Sequence, residues 1–374
     1  MTIAIHPEFK KLFDELESSH LDLHGRLNSW QYTGAELLDR LEEERQAFAP
    51  VRFGLMDRLA EIALPFAGEE RAEHQDYIRK TTYHKIVQEA PFYHRIMNKP
   101  EGYAGDAEMM NLIYRDKYEG ETQFGMLLHR DAVASDACQA VRNRRTFLRE
   151  QILNVKNLGG GLILSVAAGP ALEMRDVLKN DPGGDTFHFH ALDHDMETIR
   201  RAYQSYKDPR LKYLLGNAFH LIKGHYTVAI PRKFAVNYCN PIKDFKNVNH
   251  VLSLMKYAFE NLQKYHYDLV YSAGLFDYIK TFYVDATKGT IALTKHLFEL
   301  VKPGGSLVIG NFSPNNPRDL RFPMEYIYDW QLFHRTREEM IDFARSIPEQ
   351  EIDSMTIEQE PLGINYFLKI VKAG

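Results

Sequence analysis

The stretch that decides the fold is Leu162-Ile-Leu-Ser-Val-Ala-Ala-Gly-Pro-Ala-Leu-Glu-Met-Arg175. It opens with a short, largely apolar run that stops at the small residues Ala167, Ala168 and Gly169. Such a run, ended by small residues, indicates a buried parallel strand. Gly169 allows a sharp turn, and Pro170 suits the first position of a helix. The stretch therefore predicts a strand, a tight turn and a helix, the first unit of a nucleotide-binding α/β sheet.

The turn is predicted to contact a cofactor, although it is not a dinucleotide fingerprint. Gly-x-Gly-x-x-Gly is absent, and the glycines at 159–161 precede the strand, so they are not the binding turn. The turn residues expected at the cofactor are Ala167, Ala168, Gly169, Pro170 and Glu173. A plain strand-to-helix turn without a ligand is the alternative.

An acidic residue, Asp193, closes the second predicted strand at 187–193. It follows the glycine turn by about twenty residues, the spacing at which a carboxylate meets the ribose hydroxyls of an adenosine ligand. Asp195 belongs to the same predicted site. Three histidines lie along this segment: His188, His190 and His194. The first two share one strand face and the third falls in the following loop, so no metal site is predicted.

A polar and aromatic turn follows the third predicted strand at 211–215. In this turn Asn217 is expected to hydrogen-bond the edge of an adenine ring. Ala218 is expected at the same site, and Phe219 is expected to pack on the ring. The connection 220–249 is longer than usual for such sheets, and its role as a substrate pocket or as decoration stays open.

The remaining strands complete a sheet of seven. They are predicted within 267–278, within 297–311 after a helix and a Lys-Pro-Gly-Gly turn, and at 352–357 and 365–371 as an antiparallel hairpin. The exit turn of the fourth strand carries five residues predicted to line the site: Ser272, Ala273, Gly274, Asp277 and Tyr278.

The N-terminal part is predicted to be all-helical, because apolar residues recur there at three- and four-residue spacing. We place a helical or lid domain at 1–135 and the sheet domain at 136–374. Within the first domain, a glycine-bracketed loop carries Tyr103 and Asp106. These two residues are expected either to reach the cofactor from a lid or to form only a turn and a helix N-cap.

A helix at 141–155 leads into the sheet domain. It carries four arginines: Arg142, Arg144, Arg145 and Arg149. We expect these arginines to form surface and inter-domain pairs rather than an anion site.

Composition limits the class of protein. The chain has 374 residues, of which 44% are hydrophobic and 26% charged, as expected for a globular protein. A net charge of −5 argues against nucleic acid as a partner. Cys138 and Cys239 cannot build a disulfide framework. The sequence predicts neither a signal peptide nor a membrane span, so we expect a cytoplasmic protein.

The order of these motifs resembles class I S-adenosylmethionine (SAM) methyltransferases across roughly residues 155–374. Val301-Lys-Pro-Gly-Gly-Ser-Leu307 is similar to one of the more specific signals of that superfamily. The resemblance implies a Rossmann-like class I methyltransferase sheet: α/β, mostly parallel, seven-stranded and ended by an antiparallel hairpin. It also implies SAM as the cofactor.

A narrower resemblance covers about residues 75–374. Gly-Tyr-Ala-Gly-Asp-x-Glu-Met-Met-Asn at 102–111, Ser-Ala-Gly-Leu-Phe-Asp-Tyr at 272–278 and the segment 324–336 look like one bacterial family. That family comprises extracellular-factor, 3-hydroxypalmitic acid methyl ester, biosynthesis proteins. The resemblance implies O-methylation of a fatty-acid-like carboxylate, with a hydroxyl or a secondary metabolite as the wider alternative.

Candidates for the chemistry are predicted where the strands end. The catalytic candidates are Tyr103, Asp277, Tyr278 and His334, and the substrate-binding candidates are Tyr326, Trp330 and Arg335. A helix predicted at 324–346 would present Tyr326, Trp330 and His334 on one face. Core packing is an alternative for Trp330, and a surface salt bridge is an alternative for Arg335.

Two other functions stay open. One is methylation of a protein or a nucleic acid. The other is SAM sensing by a scaffold whose helical domain binds partners. A homodimer through the helical domain is a further expectation.

Overall fold

The computed structural model describes residues 4–157, 160–181, 184, 186–218 and 266–374. The chain forms two compact units. The first contains the residues up to Arg142 together with Asn315–Gln331, and the second contains Asn143–Pro314 and Leu332–Gly374. The domain boundary at residue 135 stays a prediction. The membership of Asn315–Gln331 in the first unit was not predicted.

The first unit is helical, as the spacing of its apolar residues predicts. Phe9, Leu12, Phe13 and Leu16 form one buried stripe. The helices are α1 (Pro7–Asn28), α2 (Gly34–Ala63), α3 (Gly68–Arg79), α4 (Thr82–Ile86), α5 (Pro91–Asn98), α6 (Ala107–Arg115) and α7 (Gln123–Val133). The boundary between the two units falls within α8 (Asp136–Asn157).

The second unit contains a seven-stranded sheet with the strand order β3-β2-β1-β4-β5-β7-β6. Neighbouring strands from β3 to β5 are parallel, whereas β7 is antiparallel to both β5 and β6. The strands are β1 (Gly161–Val166), β2 (Phe187–Asp193), β3 (Leu211–Leu215), β4 (Tyr267–Ser272), β5 (Val301–Phe312), β6 (Ile352–Gln359) and β7 (Asn365–Lys372). The predicted Rossmann-like sheet with a terminal antiparallel hairpin is confirmed.

Both faces of the sheet are buried, which explains the apolar runs in its parallel strands. One face packs Leu164 and Ile309 against Leu293 of α11 (Gly289–Glu299). The other packs Ile163 and Val308 with side chains from α8 and α9 (Leu172–Lys179). A further helix, α10 (Met196–Ser205), connects β2 to β3. The carboxyl ends of β1, β2, β4 and β5 consequently share one edge of the sheet.

The single helix predicted at 324–346 is wrong. The chain instead forms α12 (Arg318–Phe322), a π-helical turn at Pro323–Ile327, and a short α13 (Arg337–Ile341) that begins at a capping box. Between them, Asp329 is left-handed with φ 49°. Main-chain N–H groups of Phe333 and Arg335 donate to the carbonyls of Asp277 and Phe312. These long-range bonds replace the helical ones, so Tyr326, Trp330 and His334 do not share a helix face.

Some predictions lie outside the described residues: the adenine-packing Phe219, the connection 220–249 and Cys239. None of the helices described combines the length and hydropathy of a bilayer span.

Candidate functional site

The turn after β1 is built from left-handed residues. Ala167, Gly169 and Ala171 have φ values of 57°, 54° and 49°. Each left-handed alanine costs roughly 1–2 kcal/mol, and such strain concentrates at functional sites. Main-chain bonds hold the turn: the Ala168 N–H donates to Leu192 O and the Ala171 N–H to Ala168 O, each over 3.0 Å. A Cβ placed on Gly169 would meet no atom within 4 Å, so the space beside this residue is open.

Asp193 lies directly against this turn. Its Oδ2 accepts the Gly169 N–H over 2.8 Å, and its Oδ1 accepts the Asp195 N–H over 3.0 Å. Burial raises the pKa of the Asp193 carboxyl, and the charge of His194 and the two N–H bonds oppose the rise. A carboxylate has about four lone-pair positions, and the two main-chain bonds use two of them. His194 Nδ1 also lies 3.5 Å from Oδ1. The turn and the acid predicted from the sequence are brought together.

The two residues predicted around Asp193 have different local roles. Asp195 is the N-cap of α10, and its oxygens accept from the Glu197 N–H at 2.9 Å and the Thr198 hydroxyl at 2.6 Å. After β3, the Gly216 N–H donates to Asp193 O over 2.8 Å. Asn217 and Ala218, which follow Gly216 directly, therefore begin at the same carboxyl edge of the sheet as Asp193.

The exit turn of β4 adjoins the glycine turn. The buried Ser272 hydroxyl donates to the carbonyl of Val166 over 3.0 Å, so it ties the end of β4 to the end of β1. Ala273 is half-buried and Gly274 is exposed. The backbone at Gly274 is therefore accessible from the open edge of the sheet.

Glu173 points back toward the strands from the first turn of α9. Its carboxylate accepts the Tyr271 hydroxyl over 2.6 Å, and both side chains are buried. Burial raises the pKa of Glu173, while the Tyr271 hydrogen bond and the charges of Arg145 and Arg144 oppose the rise. A buried carboxylate thus lies between the ends of β1 and β4.

Asp277 lies in the 3-10 turn that follows β4, with 2% of its surface exposed. Its Oδ1 accepts the Phe312 N–H over 2.6 Å. Burial raises the pKa of Asp277 to about 6, against the Phe312 bond and the charges of Arg144 and Arg335. Tyr278, in the same 3-10 turn, is 38% exposed. The two predicted catalytic residues therefore differ sharply in their environment.

The predicted substrate clamp Arg335 is buried and binds the protein itself. Its guanidinium donates to Phe276 O and to Asn311 Oδ1, each over 2.7 Å, and also to Ile279 O. These bonds fix the exit turn of β4 against β5. His334 is half-buried, and its ring meets Phe312 edge-on at 6.3 Å.

The other predicted residues belong to the first unit. Asp106 is the N-cap of α6, as predicted: its Oδ1 accepts the Met109 N–H at 2.8 Å and Arg95 Nε at 2.7 Å. The Tyr326 hydroxyl donates to Ala63 O, and its ring stacks on that of Phe322 with centroids 5.2 Å apart.

Tyr103 and Trp330, also in the first unit, are half-buried. The main-chain N–H of Trp330 donates to Met324 O over 2.7 Å. This bond closes the wide turn that follows α12.

One residue of the second unit was missed. The surface position expected for Arg144 is wrong, because only 7% of this side chain is exposed. The signal was present in the sequence: Arg144 lies on the stripe of α8 that also carries Val141, Leu148 and Ile152, all buried. Arg145 is off the stripe and pairs with Asp176 on α9 over 2.5 Å.

Three histidines, His188, His190 and His194, lie on β2 or directly after it. His190 Nδ1 lies 2.8 Å from the Tyr267 hydroxyl in the core of the sheet. Among the described residues, no three His, Cys, Asp or Glu side chains lie close enough to hold a metal ion.

The sequence matches no model of a known protein family and is not similar to any curated protein. Among solved structures, the chain is similar to a possible exported protein from Bordetella parapertussis (15% identity, 91% of this chain and 96% of that chain covered, TM-score 0.49). It is also similar to the CurJ carbon methyltransferase (13%, 98% and 93%, 0.46). A third is magnesium protoporphyrin IX methyltransferase from Synechocystis PCC 6803 (8%, 72% and 96%, 0.41). These scores are all below 0.5, so the fold assignment rests on the strand order and register described above.

Proposed function

We propose that the protein is a SAM-dependent methyltransferase that acts on a small molecule. The observation that carries the proposal is the 2.8 Å bond between the Gly169 N–H and the Asp193 carboxylate. This bond joins the tight turn after β1 to the Asp193 carboxylate at the carboxyl edge of the parallel sheet. The space beside the turn is open, and the carboxylate can still accept hydrogen bonds. A nucleoside with two ribose hydroxyls matches that combination.

The cofactor would lie along this edge. Asp193 would accept the two ribose hydroxyls, and the backbone of the glycine turn, from Ala167 to Pro170, would line the chain that leads to the sulfur. Asn217 and Ala218 would meet the adenine. Ser272 to Gly274 and Glu173 would border the amino-acid end.

SAM supplies an electrophilic methyl group, which passes to the nucleophile as the carbon–sulfur bond breaks and a neutral thioether leaves. The contribution of the protein is chiefly alignment, which is worth up to ~7–11 kcal/mol by the effective-molarity argument. A carboxylate acceptor needs no base, because it is already ionised at neutral pH. For a hydroxyl acceptor, Asp277 and His334 are the candidate bases, with Tyr103 and Tyr278 as positioning groups.

The substrate class is the finer part of the proposal. The resemblance of 102–111, 272–278 and 324–336 to the extracellular-factor family supports a fatty-acid-like acceptor. A cytoplasmic location is part of the same proposal. Tyr326 and Trp330 remain predicted substrate contacts. For Arg335, the bonds to main-chain carbonyls favour a positioning role at the exit turn over a carboxylate clamp.

Two measurements test the proposal. Titration calorimetry with S-adenosylhomocysteine should show one site per chain, and an absence of binding would remove the proposal. Methyl-labelled SAM should then be incubated with cell extract, and the products separated into small molecules, lipids, protein and nucleic acid. Label in the small-molecule or lipid fraction is expected. Label in protein or nucleic acid, or binding without any label, would favour the rival functions.

A further inference from the structure

The segment Asn315–Gln331, which we call the strap, belongs to the helical unit, although the chain on both sides of it belongs to the sheet unit. It leaves the sheet unit after β5 and returns shortly before α13. Separate sets of bonds hold the middle of the strap and its two ends.

The middle of the strap is fixed around Glu325, of which only 7% is exposed. Its carboxylate pairs with Arg71 Nη2 over 2.9 Å and with Arg321 Nη2 over 3.0 Å. Its carbonyl accepts from Gln75 Nε2 over 2.7 Å. Because Arg71 and Gln75 both lie on α3, the strap binds this helix through a side chain and through the main chain.

Aromatic rings of the strap extend into the core of the helical unit. Phe322 is fully buried, and its ring meets that of Phe9 on α1 edge-on with centroids 6.1 Å apart. Tyr328 is also buried, and its ring lies 5.2 Å from that of Tyr93 on α5. Protein cores are close-packed, so the strap cannot shift without the helices around it.

The chain on either side of the strap is bonded to the exit turn of β4. The Asp277 carboxylate accepts the main-chain N–H of Phe312, the last residue of β5, over 2.6 Å. After the strap, the N–H of Phe333 donates to Asp277 O over 2.8 Å, and the N–H of Arg335 donates to Phe312 O over 3.0 Å. The outgoing and returning chain are therefore held together at Asp277.

Asn311 completes this arrangement and is fully buried. Its Nδ2 donates to Phe333 O over 2.7 Å, and its Oδ1 accepts from Arg335 Nη1 over 2.7 Å. The same guanidinium nitrogen donates to Phe276 O in the exit turn over 2.7 Å. We call Asn311, Asp277 and Arg335 the hub, because they bond the returning chain to both β5 and the exit turn.

We propose that the strap couples the helical unit to the exit turn of β4, so that loosening the strap on α3 also loosens the hub. Phe312 lies three positions before the strap and Phe333 two positions after it, so the connections are short. Packed parts switch between discrete arrangements rather than deform continuously, and short connections transmit such a change. The consequence for methyl transfer rests on the proposed function, whereas the coupling itself does not.

Hydrogen exchange with mass spectrometry tests the coupling on the full chain. Glu325→Gln removes the charge that pairs the strap with Arg71. Peptides that contain the exit turn and the end of β5 should exchange about five- to tenfold faster in this variant, at the low end of a typical coupling between sites. The matched control is Glu89→Gln in the same unit, where Glu89 pairs with His24 over 2.7 Å and accepts the Thr122 hydroxyl over 2.5 Å. The control should leave these peptides unchanged.

A measurement on the wild type needs no variant to fold. Exchange is followed in low urea with fragmentation that resolves single amides. The amides of Trp330 in the strap and of Phe312 and Phe333 at the hub should open with the same free energy and the same dependence on urea, because they open as one unit. Hub amides that open at lower urea than the strap would overturn the proposal. Faster exchange confined to the helical unit in Glu325→Gln would overturn it as well.

Methyl transfer separates this inference from the proposed function. Glu325→Gln should retain the affinity for S-adenosylhomocysteine but lower the labelled product from SAM by about fivefold, in parallel with the exchange. Glu89→Gln should retain both. If the wild type does not bind S-adenosylhomocysteine, the proposed function fails and hydrogen exchange still decides the coupling. Unchanged methyl transfer in a Glu325→Gln protein whose hub exchanges faster would overturn the link to catalysis.

Discussion

Single side chains carry the candidate site, and Asp193 is the one on which the rest depends. Its two oxygens accept two main-chain N–H groups, one of them from Gly169 in the turn after β1. The sequence alone identified Asp193, because a strand that ends in an acid is a pattern of adjacent residues. The nearby Arg144 was harder to find, since a charged residue on a helix is usually exposed.

Asp193→Ala should weaken S-adenosylhomocysteine binding by about 100-fold or more, because two hydrogen bonds to a charged acceptor are lost at about 1.5–3 kcal/mol each. Calorimetry gives the ratio. Asp208→Asn is the matched control, because Asp208 pairs with Arg210 beyond α10 and away from the turn. Unchanged affinity in Asp193→Ala would contradict the ribose role.

Asp277 should make stability depend on pH. Burial raises its pKa from the ordinary 3.8 to about 6. Between these values the folded protein holds a proton that the unfolded chain has released, so the Asp277 contribution to the free energy of unfolding falls as the pH rises from about 4 to about 6. Asn at this position cannot ionise and keeps an acceptor for the Phe312 N–H. Asp277→Asn should therefore gain stability relative to the wild type across this window, by up to about 3 kcal/mol.

Urea unfolding at pH 4, 5, 6 and 7 measures the effect. Asp208→Asn provides an opposite control, because Arg210 lowers the pKa of Asp208 and its stabilising contribution is lost as the pH falls. A pH-independent difference between Asp277→Asn and the wild type would show that the buried carboxyl titrates normally.

At the scale of elements, the parallel strands and the hairpin follow the sequence closely, whereas the segment after β5 does not. The strands are marked by contiguous apolar runs between turn residues, and their burial on both faces requires that pattern. The segment 324–346 has helical periodicity, but main-chain groups within it bond to the exit turn of β4 and to the end of β5 instead. Periodicity alone does not reveal such competition.

The N-cap of α6 gives a testable prediction at the scale of elements. Asp106 accepts the Met109 N–H and Arg95 Nε, and it is almost fully buried. Asp106→Ala should lower the free energy of unfolding by about 1–3 kcal/mol, while Asp106→Asn should retain most of the cap.

Urea unfolding measures the free energy of unfolding of both variants. Calorimetry with S-adenosylhomocysteine on the same samples shows whether Asp106 only caps α6 or also contacts the cofactor. A purely capping residue leaves the affinity of folded Asp106→Asn unchanged. A large loss of affinity in that variant would instead support the predicted lid contact of Asp106.

On the scale of the whole molecule, ligand binding and stability are linked. S-adenosylhomocysteine at a hundred times its Kd should raise the free energy of unfolding by about 2.7 kcal/mol, because it binds the folded chain and not the unfolded one. Urea unfolding with and without ligand gives this value. NAD at the same concentration is the control and should have no effect, since the turn lacks Gly-x-Gly-x-x-Gly. Equal stabilisation by NAD would point to a dinucleotide site. The homodimer stays a prediction, and light scattering in solution tests it.

The sequence by itself determined the sheet, its glycine turn, the acid after β2 and the terminal hairpin. Each of these is specified by residues adjacent in the chain, through apolar runs, small residues and turn chemistry. The tertiary structure alone decided that the guanidinium of Arg144 faces Gly274 in the exit turn of β4, that Arg335 binds main-chain carbonyls, and that Asn315–Gln331 joins the helical unit. These features depend on hydrogen bonds and charges between residues far apart in sequence, and a local pattern does not contain their energies.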